Sequence, residues 1–179
     1  ETTDLLIAKA QDNAIVVRLK GGDPFIFGRG GEEMEELVEA GIPVEVVPGI
    51  TSGIAAPAYA GIPLTHRLYS SSVTFVTGHE AAGKYRPAVN WNAIAHGSET
   101  IVIYMGIHNL PYIVEELTKA GLGLETPIAL VRWGTRPDQE ELIGKLGTIV
   151  EQVEATGFGA PAIVVIGAVV KMHALFRNL

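Results

Sequence analysis

The sequence predicts an α/β fold in two lobes, on three observations. Short apolar, β-branched runs recur along the chain: AIVVRL (14–19), PVEVV (43–47), VTFVT (73–77), TIVIYM (100–105), PIALV (127–131) and AIVVIG (162–167). Stretches with helical spacing of apolar positions separate several of these runs, the alternation that builds layered α/β sheets. Glycine-rich turns follow several runs, where open α/β sheets place ligands; the 21 glycines in 179 residues exceed the usual share of about 7%.

In order along the chain, Leu5, Leu6, Ala8 and Ala10 mix with polar positions and predict a helix over 3–12. The run 14–19 is apolar throughout, as a buried parallel strand is. Gly30 to Ala40 reads as a helix with Glu32 and Glu33 at its positive end, a stripe of Met34, Leu37 and Val38, and a stop at Gly41. Residues 43–47 form the next expected strand, and Ser52 to Ala60 a short helix of small residues. GIPLTHRLYSSS (61–72) carries Gly, Pro and three serines without apolar periodicity and is the expected linker region. The division is therefore 1–64 for a partial N-terminal lobe, 65–72 for the linker and 73–179 for the C-terminal lobe. In the latter, strands are expected at 73–77, 100–105, 127–131 and 162–167, helices at 109–120 and 147–155, and an edge strand at 139–146 is left open.

Composition excludes several classes of function. With 47% hydrophobic and 18% charged residues, disorder is excluded. There is no cysteine, which removes disulfides, thiolate metal sites and thiol nucleophiles and fits a cytoplasmic protein. No apolar run reaches the roughly 20 residues of a membrane helix. The opening ETTDLLIAKAQDN has neither the basic start nor the apolar core of a signal peptide and lacks an initiator Met, so the chain is expected to begin inside a longer protein. A net charge of −7 disfavours nucleic acid. Yet Lys20, Arg29, Arg67, Lys84, Arg86, Arg132 and Arg136 fall in four windows (20–29, 65–71, 78–87, 132–138) whose acids are Asp23, Glu80 and Asp138 alone. That local excess suits an acidic ligand.

Two glycine motifs fail on inspection. Gly28, Gly30 and Gly31 lack the third glycine of a dinucleotide fingerprint and begin well past the strand. Gly78, Gly83 and Lys84 fit a phosphate loop, but Tyr85 replaces the magnesium-binding Ser or Thr and Pro87 opposes a long helix. His66, His79, His96, His108 and His173 show no ligand spacing, so no metal site is expected. At 21–27, paired glycines admit close main-chain approach, Asp23 accepts hydrogen bonds, and Phe25, Ile26 and Phe27 offer faces to a flat ring. That pattern by itself fits a connecting turn as well as a ligand loop.

RLKGGDPFIFGRGGEE (18–33), VEVVPGITS, GIPLTHR, VTGHE, IVIYMG and ALVRWGTRPDQEE, in this order, resemble the tetrapyrrole (precorrin) methylases. GGDPFIFGRGGEE resembles in particular the branch that methylates uroporphyrinogen III. The resemblance covers nearly the whole chain but lacks the family's opening strand and G-x-G-P-G-D loop. It implies two α/β/α lobes of the tetrapyrrole methylase type with a cofactor cleft between them, the first lobe incomplete. It further implies S-adenosylmethionine as cofactor, S-adenosylhomocysteine as its product, and methylation at C-2 and C-7 to give precorrin-2, on the way to sirohaem or cobalamin.

Carried over position by position, the implied cofactor residues are Gly21, Gly22, Asp23, Ile26, Thr51, Ser52, Met105 and Gly134. Arg29, Arg67 and His79 are expected at the tetrapyrrole, with Arg86 and Arg136 behind them. No catalytic acid or base is assigned, because the family's candidates lie in its N-terminal part. A homodimer is expected, with AVVKMHALF (168–176) serving either an interface or the core. Two alternatives remain at this point: a methylase of another precorrin, and a ligand-binding fragment without activity.

Overall fold

The computed structural model describes residues 2–79 and 89–176. The chain divides into two compact units, Glu1–Thr51 and Ser52–Leu179.

In the first unit, α1 (Thr2–Asp12) packs against α2 (Gly30–Glu39). Helix α2 begins after Arg29, held at φ 58°, and carries Glu32 and Glu33 in its first turn, where the helix dipole favours anions. Gly41, at φ 76°, lets the chain turn back so that the Gly41 and Ile42 amides donate to the carbonyls of Val38 and Leu37. The runs 14–19 and 43–47, expected as strands, are irregular backbone here. No ladder forms on them among the described residues, and Ile15, Val17 and Leu19 are 83%, 79% and 84% exposed. β-branched residues favour extended backbone, but a strand exists only where a neighbour takes its hydrogen bonds.

The second unit opens with α3 (Ser52–Tyr59) and contains a five-stranded sheet in the order β1-β2-β5-β3-β4. Its strands are β1 (Val73–Thr77), β2 (Thr100–Tyr104), β3 (Pro127–Arg132), β4 (Glu140–Lys145) and β5 (Ala162–Ile166). β1 runs parallel to β2, β5 is antiparallel to both β2 and β3, and β4 is antiparallel to β3. β1, β2 and β3 therefore point the same way, and their carboxyl ends meet at one edge of the sheet.

Side chains alternate across this sheet with the period of two that strands impose. Ile101, Ile103, Ile128, Leu130, Val164 and Ile166 face α4 (Trp91–Gly97), α5 (Leu110–Lys119) and α6 (Ile149–Thr156), packing on Trp91, Leu110, Ile113, Leu117 and Ile149. Val102, Tyr104, Ala129, Val131, Ile163 and Val165 face the other way, onto Ala56 and Ala60 at α3 and onto Val169 and Val170 of a 3₁₀ turn before α7 (Met172–Phe176). Each fully buried aliphatic side chain contributes about 1.5–3 kcal/mol of transfer free energy, so two cores hold the three layers together. The edge strand left open over 139–146 forms as β4.

The boundary between the units precedes the expected linker. Helix α3 packs on β2, β3 and β5. The stretch 61–72 is held by its own contacts: Ile62 is buried in the second core, and the His66 and Ser70 main chains bond each other. Ser71 donates through both its amide and hydroxyl to Glu99. Polar composition marked this segment as a loop but did not reveal that one isoleucine anchors it.

Candidate functional site

In the first unit, the turn after residue 20 folds upon its own main chain. Asp23 organises it: Oδ1 accepts from the Phe25 amide at 2.8 Å and Oδ2 from the Gly49 amide at 3.1 Å. The Gly49 Cα lies so close to Gly22 that a Cβ there would be 2.4 Å from the Gly22 carbonyl oxygen. The GGD turn and the PGI loop are thus clamped together, with Gly22 at φ 117°. Gly28 and Gly30 are bare for a similar reason, since the Pro24 carbonyl fills their side-chain positions. Gly21 differs. Among the described residues nothing lies within 4 Å of where its Cβ would be, so the space on that side is open.

The clamp sets the ionisation of Asp23. The amides of Phe25 and then Gly49 hold its carboxyl below the ordinary carboxylate range. Because the folded value lies below the unfolded one of about 3.9, the stabilisation is complete above that value and disappears as pH falls through the folded value. Titration of the Asp23 carboxyl by NMR is expected to give a midpoint below that of a free aspartate; a midpoint at or above it would mean the clamp is absent in solution.

The neighbouring cations are not equivalent. Lys20 and Arg18 both pair with Glu33, at 2.8 and 3.1 Å. Burial pushes the Glu33 carboxyl up, but these two cations outweigh it and its pKa falls. Arg29 is exposed, and no ion pair forms on it among the described residues. Ile26 and the flanking Phe25 and Phe27 are exposed as well. Thr51, at the end of this unit, is buried.

In the second unit, Ser52 opens α3 and is exposed. The sheet edge collects His79 beyond β1, Met105 beyond β2 and Gly134 beyond β3. Met105 is 53% exposed at φ 55°. Trp133, at φ 49°, lies under the Arg132 guanidinium at 3.8 Å from the ring centre. Since β5 lies between β2 and β3, Met105 and Trp133 follow strands two spacings apart, roughly 10 Å. Gly134 is bare because of packing: a Cβ there would lie 2.3 Å from the Ala56 Cβ. The resemblance places Gly134 at the cofactor, and the clash with Ala56 gives a packing reason for its missing side chain.

Arg67 is exposed, with no ion pair among the described residues. Arg136 instead places Nε and Nη2 on the two oxygens of Asp138, at 2.9 and 3.0 Å, and Arg132 pairs with Glu140 at 3.1 Å. Lys84 and Arg86, like most of the GHEAAGKY segment, lie outside the described residues. Sequence reasoning missed Tyr104, whose hydroxyl accepts from the Gly53 amide at 2.8 Å and fixes the start of α3 against β2. As one more aromatic residue in an apolar strand, it carried no signal of that role.

All five non-glycine residues with positive φ among those described are Phe27, Arg29, Met105, Trp133 and Thr135. Each falls in a segment that the motifs singled out. Left-handed backbone is uncommon outside glycine and concentrates where ligands are gripped. The family model of the Tetrapyrrole (Corrin/Porphyrin) Methylases matches residues 1–150. The chain belongs to the tetrapyrrole methylases. This methylase is 71% identical over 178 residues to the uroporphyrinogen-III C-methyltransferase of Synechocystis sp., covering 99% of this chain and 68% of that protein. It is 51% identical to the S-adenosyl-L-methionine-dependent uroporphyrinogen III methyltransferase of Methanosarcina barkeri, over 97% of this chain and 68% of that one. Among solved structures it resembles uroporphyrin-III C-methyl transferase of Thermus thermophilus complexed with S-adenyl homocysteine, with a TM-score of 0.81 and 35% identity over 94% of this chain and 73% of that one. The methylase thus spans about two thirds to three quarters of these relatives.

Proposed function

We propose that this chain is the greater part of an S-adenosylmethionine-dependent enzyme that methylates uroporphyrinogen III at C-2 and C-7 to give precorrin-2. The observation that supports the reading is that, among the described residues, the non-glycine residues of positive φ all fall in the segments that the family resemblance singles out. The similarity to enzymes of that name supports the substrate. No helix among the described residues is long and apolar enough to cross a membrane.

The residues present fit the cofactor. Gly21 offers open space in the first unit next to the Asp23 clamp, with Gly22 in the same turn and Ile26 exposed after it. Ser52, exposed at the start of α3, supplies a main-chain amide suited to a carboxylate, and Thr51 precedes it as the other residue of this loop given to the cofactor. In the second unit Met105 presents a soft, polarisable wall to an adenine ring. When bound, S-adenosylmethionine supplies an electrophilic methyl group on a sulfonium. The chain's part is to orient and to exclude water. The pyrrole carbon is already a nucleophile, so alignment accounts for much of the rate.

The substrate is a polycarboxylate, and a chain of net charge −7 binds it through local cations. Arg29 and Arg67 are assigned this task, because the described residues leave both without an ion pair and guanidinium forks match carboxylates. His79, just beyond β1, is given the same task. Arg136 is held by Asp138 and takes a lesser part. Replacing Arg67 by alanine is expected to raise the KM for uroporphyrinogen III about tenfold at low salt, the ~1.4 kcal/mol of one charge-assisted contact, with cofactor affinity nearly intact. Equal loss of both affinities would remove the assignment.

The same reading includes a cytoplasmic homodimer without nucleic-acid or membrane partners. Incubation with uroporphyrinogen III and methyl-labelled S-adenosylmethionine tests the activity: the expected product carries two labelled methyl groups, and an unmodified macrocycle overturns the proposal.

A further inference from the structure

The turn that carries Gly134 is stapled from behind by a chain of polar side chains. The Thr135 amide, at φ 72°, donates to Gln139 Oε1 at 2.7 Å. Gln139 Nε2 donates to Glu141 Oε1 at 2.6 Å. Glu141 Oε2 lies 3.8 Å from His173 Nε2, with the Glu141 side chain 3% exposed. His173 Nδ1 lies 2.7 Å from the Ala60 carbonyl, which only accepts, so Nδ1 carries the proton. The orientation of the Gln139 amide is likewise fixed: an N–H on one side requires its oxygen, and a carboxylate on the other requires its nitrogen.

We propose that Gln139 is a positioning residue for the cofactor-binding turn, holding Thr135 in the left-handed region and thereby Gly134 in place, with Glu141 and His173 as its support on β4 and α7. Three features converge on this role. Thr135 is β-branched, a residue type for which positive φ is costly and persists only where the surroundings impose it. The imposing bond comes from a side chain whose other end is anchored on a buried carboxylate. That carboxylate faces an imidazole tied to the main chain at residue 60, so the start of β4 is braced by both ends of the second unit's sequence. Through these bonds Gln139 and Glu141 act on the turn by way of Thr135. This inference rests on the reading of Gly134 as part of the cofactor's seat.

An exchange of charge tests it. Gln139→Glu alone sets two carboxylates 2.6 Å apart and is expected to weaken S-adenosylhomocysteine about tenfold by calorimetry, with the KM for uroporphyrinogen III within about threefold of wild type. Combined with Glu141→Gln, the donor and acceptor swap ends: the new carboxylate accepts from Thr135 and from the new amide, and affinity should return to within about threefold. Gln139→Ala, which adds no charge, should weaken binding about fivefold and serves if Gln139→Glu does not fold. Unchanged affinity in the single variants, failure of the exchanged pair to recover, or parallel loss of cofactor and substrate constants would overturn the proposal. If the wild-type protein binds no S-adenosylhomocysteine, the cofactor reading itself falls, a result distinct from these.

Discussion

Gly134→Val is expected to lower stability by about 3 kcal/mol, the upper part of the range for overpacked interiors, and to reduce Tm by roughly 6–12 °C for a chain of this size. The cause is local. Even the first carbon of a side chain would lie 2.3 Å from the Ala56 Cβ and 2.9 Å from its Cα. Ala56 is buried in α3, a helix that packs on β2, β3 and β5, so it has no room to retreat. The remaining response is for the turn after β3 to move, which also breaks the geometry that Thr135 and Gln139 share. Differential scanning calorimetry checks the stability; a Tm within 2 °C of wild type would mean that α3 and the turn part readily.

The second large effect is expected at Gly49. In Gly49→Ala the added methyl would meet the Gly22 carbonyl oxygen at 2.4 Å and its carbon at 2.9 Å. The two loops must separate, and the Asp23–Gly49 hydrogen bond is lost with them. Because Gly49 and Gly22 belong to the first unit and the sheet to the second, global stability should change little while affinity for S-adenosylhomocysteine falls at least tenfold, about 1.4 kcal/mol. Calorimetric binding beside a thermal melt separates the two effects. Wild-type affinity in this variant would show that the clamp does not shape the ligand's seat.

What could be read from the residues, and what could not, follows the range of the interactions. Strands such as 100–104 and 162–166 were legible because their composition reflects burial on both faces. Helix α2 was legible because Gly41 and the acidic first turn are local signals. The runs 14–19 and 43–47 have the same composition yet pair with nothing among the described residues, since a ladder depends on a neighbour distant in sequence. At the candidate site, Gly21–Asp23, Met105 and Gly134 stood out through motifs. The reasons for their chemistry did not: Asp23 grips the chain's own amides, and Gly134 is small on account of Ala56. Gln139 lay within a quoted motif without drawing attention, because a single glutamine acquires a role only when a turn folds back on it.

The two-faced packing of β5 also constrains how this protein can vary. Ile163 and Val165 belong to one core and Val164 and Ile166 to the other. Insertion or deletion of one residue within that strand would exchange the two sets and displace every partner on β2 and β3 at once. Divergence there must proceed by substitution at constant length and near-constant volume, and changes in chain length are left to the connections between elements.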